Sequence, residues 1–149
     1  MKFTLTNFPA ALSVNQSLIT AKVGNTLRMI HSKKSTIYKN SVMSYIIQKT
    51  ESLRIIRDCL EQAIDQGLVI RVDCYFIFER SSIYTKKNTV KKKDHHNLLK
   101  SALDGLSKAI GIDDSYFFTV NAHKVIGERE SITFVITTHV PMNEGMINE

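Results

Sequence analysis

Two short windows hold most of the side chains able to do chemistry: Lys91-Lys92-Lys93-Asp94-His95-His96-Asn97-Leu98-Leu99-Lys100-Ser101-Ala102-Leu103-Asp104, and Gly111-Ile112-Asp113-Asp114-Ser115. At helical spacing Asn97, Lys100 and Asp104 share one face, with His96 one turn before Lys100, while Leu99, Ala102, Leu103, Leu106 and Ile110 form the opposite, apolar stripe. A carboxylate at the helix start, an acidic pair just past its end and a lysine between them would converge if the next strand runs back beside the helix. Hard oxygen ligands grouped in this way suit Mg²⁺, which keeps several waters and is completed by substrate phosphates. Simpler roles are open at the same positions. Asp94 can cap the helix and complement its dipole, and Asp113-Asp114 can form a turn after Gly111. His95 reads as a solvated residue at the helix start, and His96 stays open between ligand and bystander.

The charge pattern sharpens this window. The chain has 149 residues with 20 Lys and Arg against 14 Asp and Glu, a net +6, so a polyanion is a reasonable partner. From Ser81 to Lys93 there is no acid, while Lys86, Lys87, Lys91, Lys92 and Lys93 crowd the stretch and acids return at Asp94. Composition is that of an ordinary globular domain, 43% hydrophobic and 23% charged, which argues against disorder and coiled coil. No apolar run approaches a membrane span, and the N-terminus lacks a secretory pattern, so the expectation is a cytoplasmic protein without a membrane partner. Cys59 and Cys74 sit inside apolar patterns and read as reduced core residues. His31, His123 and His139 have no partner at a metal-binding spacing. No Gly-rich phosphate loop, Ser/His/Asp set or glycosidase carboxylate pair stands out, and no small-molecule cofactor is expected.

The elements that must position these residues follow from periodicity. Phe3 to Phe8 alternates and ends at Pro9, an opening strand. Ala10 to Lys34, with one turn signal at Gly24-Asn25 and the bases Lys22, Arg28, Lys33 and Lys34, fits a basic hairpin or long loop. Val42, Tyr45, Ile46, Leu53, Ile56, Leu60, Ala63 and Ile64 keep one helical face; Ser35 or Thr36 can cap the start, a break is expected near Thr50, and Gly67 ends the helix. Leu68 to Phe78 is a central strand of strong β-formers. The lysine stretch 81–93 has no apolar face and is expected to be a mobile loop. The second helix follows, closed by Gly111. Tyr116 to Ile126 and Ser131 to Val140 are two further strands, with Gly127-Glu128 as a hairpin turn between them, and the tail 142–149 is expected to fray. The fold class is α/β (α+β): a single domain over 1–149, a mixed sheet with two main helices, in the order β-(basic hairpin/loop)-α-β-α-β-β.

The pattern resembles the RusA family of Holliday junction resolvases, whose motif is a basic run, then Asp-x-Asp-Asn-x-x-Lys, an Asp four residues on, a helix, and an Asp-Asp pair opening a strand. Those are small, dimeric, Mg²⁺-dependent endonucleases often encoded by phages and prophages. Here the positions read Lys91-Lys92-Lys93, Asp94-His95-His96-Asn97-Leu98-Leu99-Lys100, Asp104-Gly105-Leu106 and Asp113-Asp114. The order of elements is similar along nearly the whole chain, and Leu12-Ser13-Val14-Asn15 with Ser35-Thr36-Ile37-Tyr38 echo the family's N-terminal turn and first-helix start. The resemblance implies Asp94 and Asp114 as metal ligands with Asp113 beside them, and Lys100 as the catalytic or phosphate-contacting lysine. Asn97 and Asp104 would support them. It further implies a homodimer cutting branched DNA, with Lys22, Arg28, Lys33, Lys34, Lys86, Lys87, Lys91, Lys92 and Lys93 holding the DNA backbone.

One position departs from the family pattern. Its second catalytic Asp is replaced by His96, a neutral, softer ligand that favours Mn²⁺ over Mg²⁺. Either His96 serves as ligand or base, or another acid such as Asp113 substitutes, or the chain binds junctions with weakened or lost cleavage. A small basic RNA-binding domain is a further reading, without a stacking-aromatic motif to support it. Asp94-His95-His96 also spells the signature of the DHH phosphoesterases, but that family needs further acidic motifs over a longer, two-domain chain.

Overall fold

The computed structural model describes residues 1–13, 16, 18–91 and 96–141, with the side chain of His96 outside the description. Its elements are β1 (Lys2–Pro9), β2 (Leu18–Val23), β3 (Thr26–His31), α1 (Lys33–Asp65), β4 (Val69–Glu79), α2 (Arg80–Ile83), α3 (His96–Ile110), a 3₁₀ turn (Asp114–Tyr116), β5 (Phe117–Gly127) and β6 (Ser131–His139). This is the expected mixed α+β architecture, six strands in two sheets with three helices among the described residues.

The main sheet runs β1-β6-β4-β5, with β4 parallel to β5 and antiparallel to β6. Val72, Cys74 and Phe76 of β4 and Ile132, Phe134 and Ile136 of β6 point to one face and are almost fully buried. That alternation is what a sheet covered on one side requires. Leu5 and Phe8 are both in this core although their spacing would put them on opposite faces. The register shift between them, with Asn7 at φ +56, resolves the parity and turns Phe8 inward. Phe8 then meets Tyr45 and Phe134 edge-on at 4.9 and 5.1 Å, joining β1, α1 and β6.

Helix α1 is a single element of 33 residues with non-helical angles at Lys49, one residue from the expected break. Its cap is Ser32, whose hydroxyl accepts from the Ser35 N–H at 3.1 Å, so the helix begins a turn earlier than a Ser35 or Thr36 cap would place it. β2 and β3 form the basic hairpin, turning at Gly24 (φ +63), and stand apart from the main sheet. The connection between β5 and β6 is not a hairpin. β4, apolar along its inner face and the longest in pairing, lies between them and takes both as neighbours, and Ser82 Oγ on α2 ties to Glu130 Oε1 at 2.8 Å beneath the crossover. The face opposite this core presents Arg71, Asp73, Tyr75, Thr119, Asn121 and His123 across β4 and β5.

Candidate functional site

α3 carries most of the sequence-predicted residues, and its packing decides where they point. Ala102, Leu106 and Ile110 are buried, while Leu99 and Leu103 of the expected stripe are only half-buried. Gly105 is the point of closest approach to α1: a Cβ there would lie 2.6 Å from the Tyr38 hydroxyl and 3.2 Å from Phe8 Cε1. The Tyr38 hydroxyl donates to the Ser101 carbonyl at 3.0 Å, and burial pushes its phenol up to about 12 despite that bond. This contact sets the roll of α3, leaving Lys100 and Asp104 exposed on one edge. Together with Leu18, His31, Tyr38, Lys39 and Lys108 they line a cavity of about 360 Å³ between the hairpin, α1 and α3.

The acidic pair sits elsewhere. Gly111 (φ +72) ends α3, and Asp113 caps the 3₁₀ turn, its carboxylate accepting from the Ser115 N–H at 2.9 Å. Hydrogen bonding from the Ser115 side chain, and then from this N–H, holds the Asp113 carboxyl below the usual range, and Asp113 and Asp114 are both exposed. Asp113 shares a cavity with Glu61 and Asp65 at the C-terminal end of α1. Leu98, at the other end of α3, shares one with Phe76, Ile77 and Phe78 at the far end of β4. α3 has 15 residues, an axial length of about 21 Å. Within one chain the structure therefore brings Lys100 and Asp104 together and keeps Asp113 and Asp114 away from the Asn97 end.

Asp94, His95, Lys92 and Lys93 lie outside the described residues, and of His96 only its place at the first position of α3 is described. Among the described residues no three His, Cys, Asp or Glu side chains are grouped so as to hold a metal ion. The basic residues are distributed over two surfaces. Lys22 and Arg28 stand exposed on the hairpin, next to Lys33 and Lys34 in the first turn of α1. Lys86 and Lys87 stand exposed in a loop closed by the Tyr84–Val90 bridge and by Thr85 and Thr89 hydroxyls 2.7 Å apart. Lys91 Nζ donates to the Ser81 carbonyl at 2.6 Å.

One polar cluster was not foreseen. Asp73 in β4 is nearly buried, accepts from Arg71 Nε at 3.0 Å and Nη2 at 3.1 Å and from Asn121 Nδ2 at 2.7 Å, and has His123 Nε2 at 3.8 Å. His123 in turn stacks on Tyr75 with ring centroids 4.7 Å apart. Burial works against the Asp73 charge, but the Arg71 and Asn121 hydrogen bonds and the neighbouring positive charges outweigh it and lower its carboxyl below the ordinary value. The sequence signal was only the alternation of polar residues in β4; that Asn121 and His123 lie opposite depends on the parallel pairing with β5.

The family model for Endodeoxyribonuclease RusA matches residues 11–137, from before the hairpin to near the end of β6. This chain belongs to the RusA endodeoxyribonuclease family: it is a structure-selective endonuclease of the junction-resolving kind, and such resolvases depend in general on a divalent metal. No curated protein matches the chain. Among solved structures, IspF of Plasmodium falciparum in a CDP complex aligns with 21% identity and TM-score 0.33, over 76% of this chain and 62% of that one. The 2C-methyl-D-erythritol 2,4-cyclodiphosphate synthase of Plasmodium vivax aligns with 15% identity and TM-score 0.32, over 95% of each chain.

Proposed function

We propose that this protein resolves four-way or other branched DNA by paired phosphodiester hydrolysis, as a homodimer, with a divalent cation held by Asp94 and Asp114 and supported by Asp113 and His96. What supports this reading above all is that the match over 11–137 spans both halves of the motif, Asp94-x-x-Asn97-x-x-Lys100 and Asp113-Asp114. The donor set is chemically suited to the cation: exposed Asp114 supplies hard carboxylate oxygens for Mg²⁺, and imidazole from His96 would shift preference toward Mn²⁺. When bound, the cation activates water and stabilises charge on the scissile phosphate. Lys100, exposed and fixed by the roll of α3, adds a positive charge where phosphate oxygens gain negative charge. Asn97 and Asp104 on the same edge orient the ligands and the lysine. Lys22, Arg28, Lys33 and Lys34 on the hairpin and α1, and Lys86, Lys87 and Lys91 in the loop after α2, hold DNA backbone without reading sequence, together with Lys92 and Lys93, which follow Lys91 in the sequence.

A second reading rests on His96. With one acid fewer than the family pattern, the protein would bind junctions and cut weakly or not at all. Cleavage of a labelled synthetic four-way junction against linear duplex, in Mg²⁺ and in Mn²⁺, tests both. Paired nicks by the natural protein that vanish in Asp94→Asn support the resolvase; binding without nicks, with cutting gained in His96→Asp, supports the junction binder.

A further inference from the structure

We propose that the cavity between the β2–β3 hairpin, α1 and α3 receives a single nucleotide swung out of the stack at the branch point, its base against the apolar wall and its phosphate on the lysines at the rim. The inference rests on the reading of this protein as an endonuclease of branched DNA and deepens it by naming the part of the junction that is recognised. Three observations carry it. The cavity measures about 360 Å³, at the small end of ligand-sized pockets of about 300–1,000 Å³, so it has room for one nucleotide and none for a duplex arm. Its wall is largely apolar: Leu18 comes from the hairpin, buried Val42 and Tyr38 from α1, and the bare backbone of Gly105 from α3. The Tyr38 hydroxyl is already committed to the Ser101 carbonyl at 3.0 Å, which removes the one polar group of that wall from competition. The third observation is charge. Lys39, Lys100 and Lys108 line the same cavity and are exposed, against one acid, Asp104, among the described lining residues. An apolar wall under a cationic rim suits a flat body carrying one anionic group, which is the chemistry of a nucleotide.

Lys100 belongs both to this cavity and to the edge of α3 read as catalytic, so a nucleotide seated here brings its phosphate to the lysine that cleavage uses. Taking a base out of continuous duplex costs its stacking and its pairing. At a branch point the stack is already interrupted, and the cost is smaller. The cavity therefore separates a junction from linear duplex by that difference and needs no contact that reads sequence.

Two measurements test this, and neither needs cleavage. Titration of the natural protein with deoxyadenosine monophosphate should shift the backbone amide NMR signals of Tyr38, Val42 and Gly105 saturably, with deoxyadenosine and inorganic phosphate each binding at least about tenfold more weakly. Leu18→Trp, at a position 36% exposed and so tolerant of a larger side chain, should fill the mouth of the cavity and abolish the shifts. Lys39→Ala combined with Lys108→Ala should weaken nucleotide binding about tenfold. In the second measurement a four-way junction carries 2-aminopurine at one branch-point nucleotide, and binding is followed separately by gel shift with metal withheld. The probe should brighten severalfold on binding, less so with the double lysine variant, while the same probe placed inside an arm stays dim. A junction that is bound with its branch-point probe unchanged overturns the proposal and leaves the resolvase reading intact; a junction that is not bound at all overturns both. Amide signals that ignore the mononucleotide, or move equally with deoxyadenosine, overturn the assignment of a nucleotide to this cavity. Signals that follow protein concentration instead put a second copy there and overturn it as well.

Discussion

Gly105→Ala should destabilise the protein, against the helix-propensity expectation, and Tyr38→Phe should rescue it. In an open helix the change would gain about 1 kcal/mol. Here the new Cβ would sit 2.6 Å from the Tyr38 hydroxyl and 3.2 Å from Phe8 Cε1. Overpacking of this kind costs about 1–3 kcal/mol, and displacing Tyr38 also breaks its bond to the Ser101 carbonyl, about 1 kcal/mol more. The net is a loss of about 1–3 kcal/mol. Tyr38→Phe alone costs about 0.5–1 kcal/mol, because Ser101 O keeps a second lone pair for the helix. With the hydroxyl gone the closest contact is the 3.2 Å approach to Phe8, so the same Gly105→Ala change becomes neutral or slightly stabilising. Urea unfolding followed by far-UV circular dichroism gives the four stabilities of this cycle. A coupling near zero, or a Gly105→Ala protein more stable than the natural one, refutes the packing account of how α3 is rolled to expose Lys100.

Three further outcomes are expected. Asp73→Asn should cost about 1–2 kcal/mol at pH 7, at the low end for charged hydrogen bonds because Arg71 is half exposed. The Asp73 carboxyl is lowered on folding from 3.8, so its contribution is present above that value and fades as pH falls through the folded one. The gap between the natural protein and the Asp73→Asn variant should therefore narrow below about pH 4, and a constant gap in urea titrations down to about pH 2 contradicts the cluster. Tyr38, raised to about 12, contributes stability that is whole below its ordinary 10.0 and is lost as pH climbs through the folded value; Tyr38→Phe should remove that alkaline fall. Cys74 is buried with its thiol pushed up to about 12 by that burial, while Cys59 is half-buried, so a thiol reagent should label Cys59 first and reach Cys74 only in denaturant.

Periodicity was a good guide where one element buries one face. The β4 alternation, the α3 stripe and the Gly24 turn all stand close to where the sequence places them, because each is settled by local hydrophobic pattern and backbone chemistry. Pairing between strands is a different matter. Ser131–His139 reads as the second arm of a hairpin from its turn residues, yet β4 intervenes, since the strand with the most buried side chains takes the middle of the sheet. The Asp73 cluster was invisible for the same reason: its partners Asn121 and His123 are brought alongside by sheet register, not by proximity in sequence. The Asp94-to-Lys100 and Asp113-Asp114 windows were legible as chemistry. Whether they meet depends on the length of the helix between them and on which end of the sheet each occupies, and no residue pattern within either window records that.

The most direct test of the central claim is cleavage of a labelled four-way junction by the natural protein and by Lys100→Ala, with Mg²⁺ and Mn²⁺ supplied separately. The account predicts paired, symmetric nicks from the natural protein, none on linear duplex, and a loss of about 100-fold or more in the variant. Junctions left uncut in both metals, or cut equally well without Lys100, would contradict it.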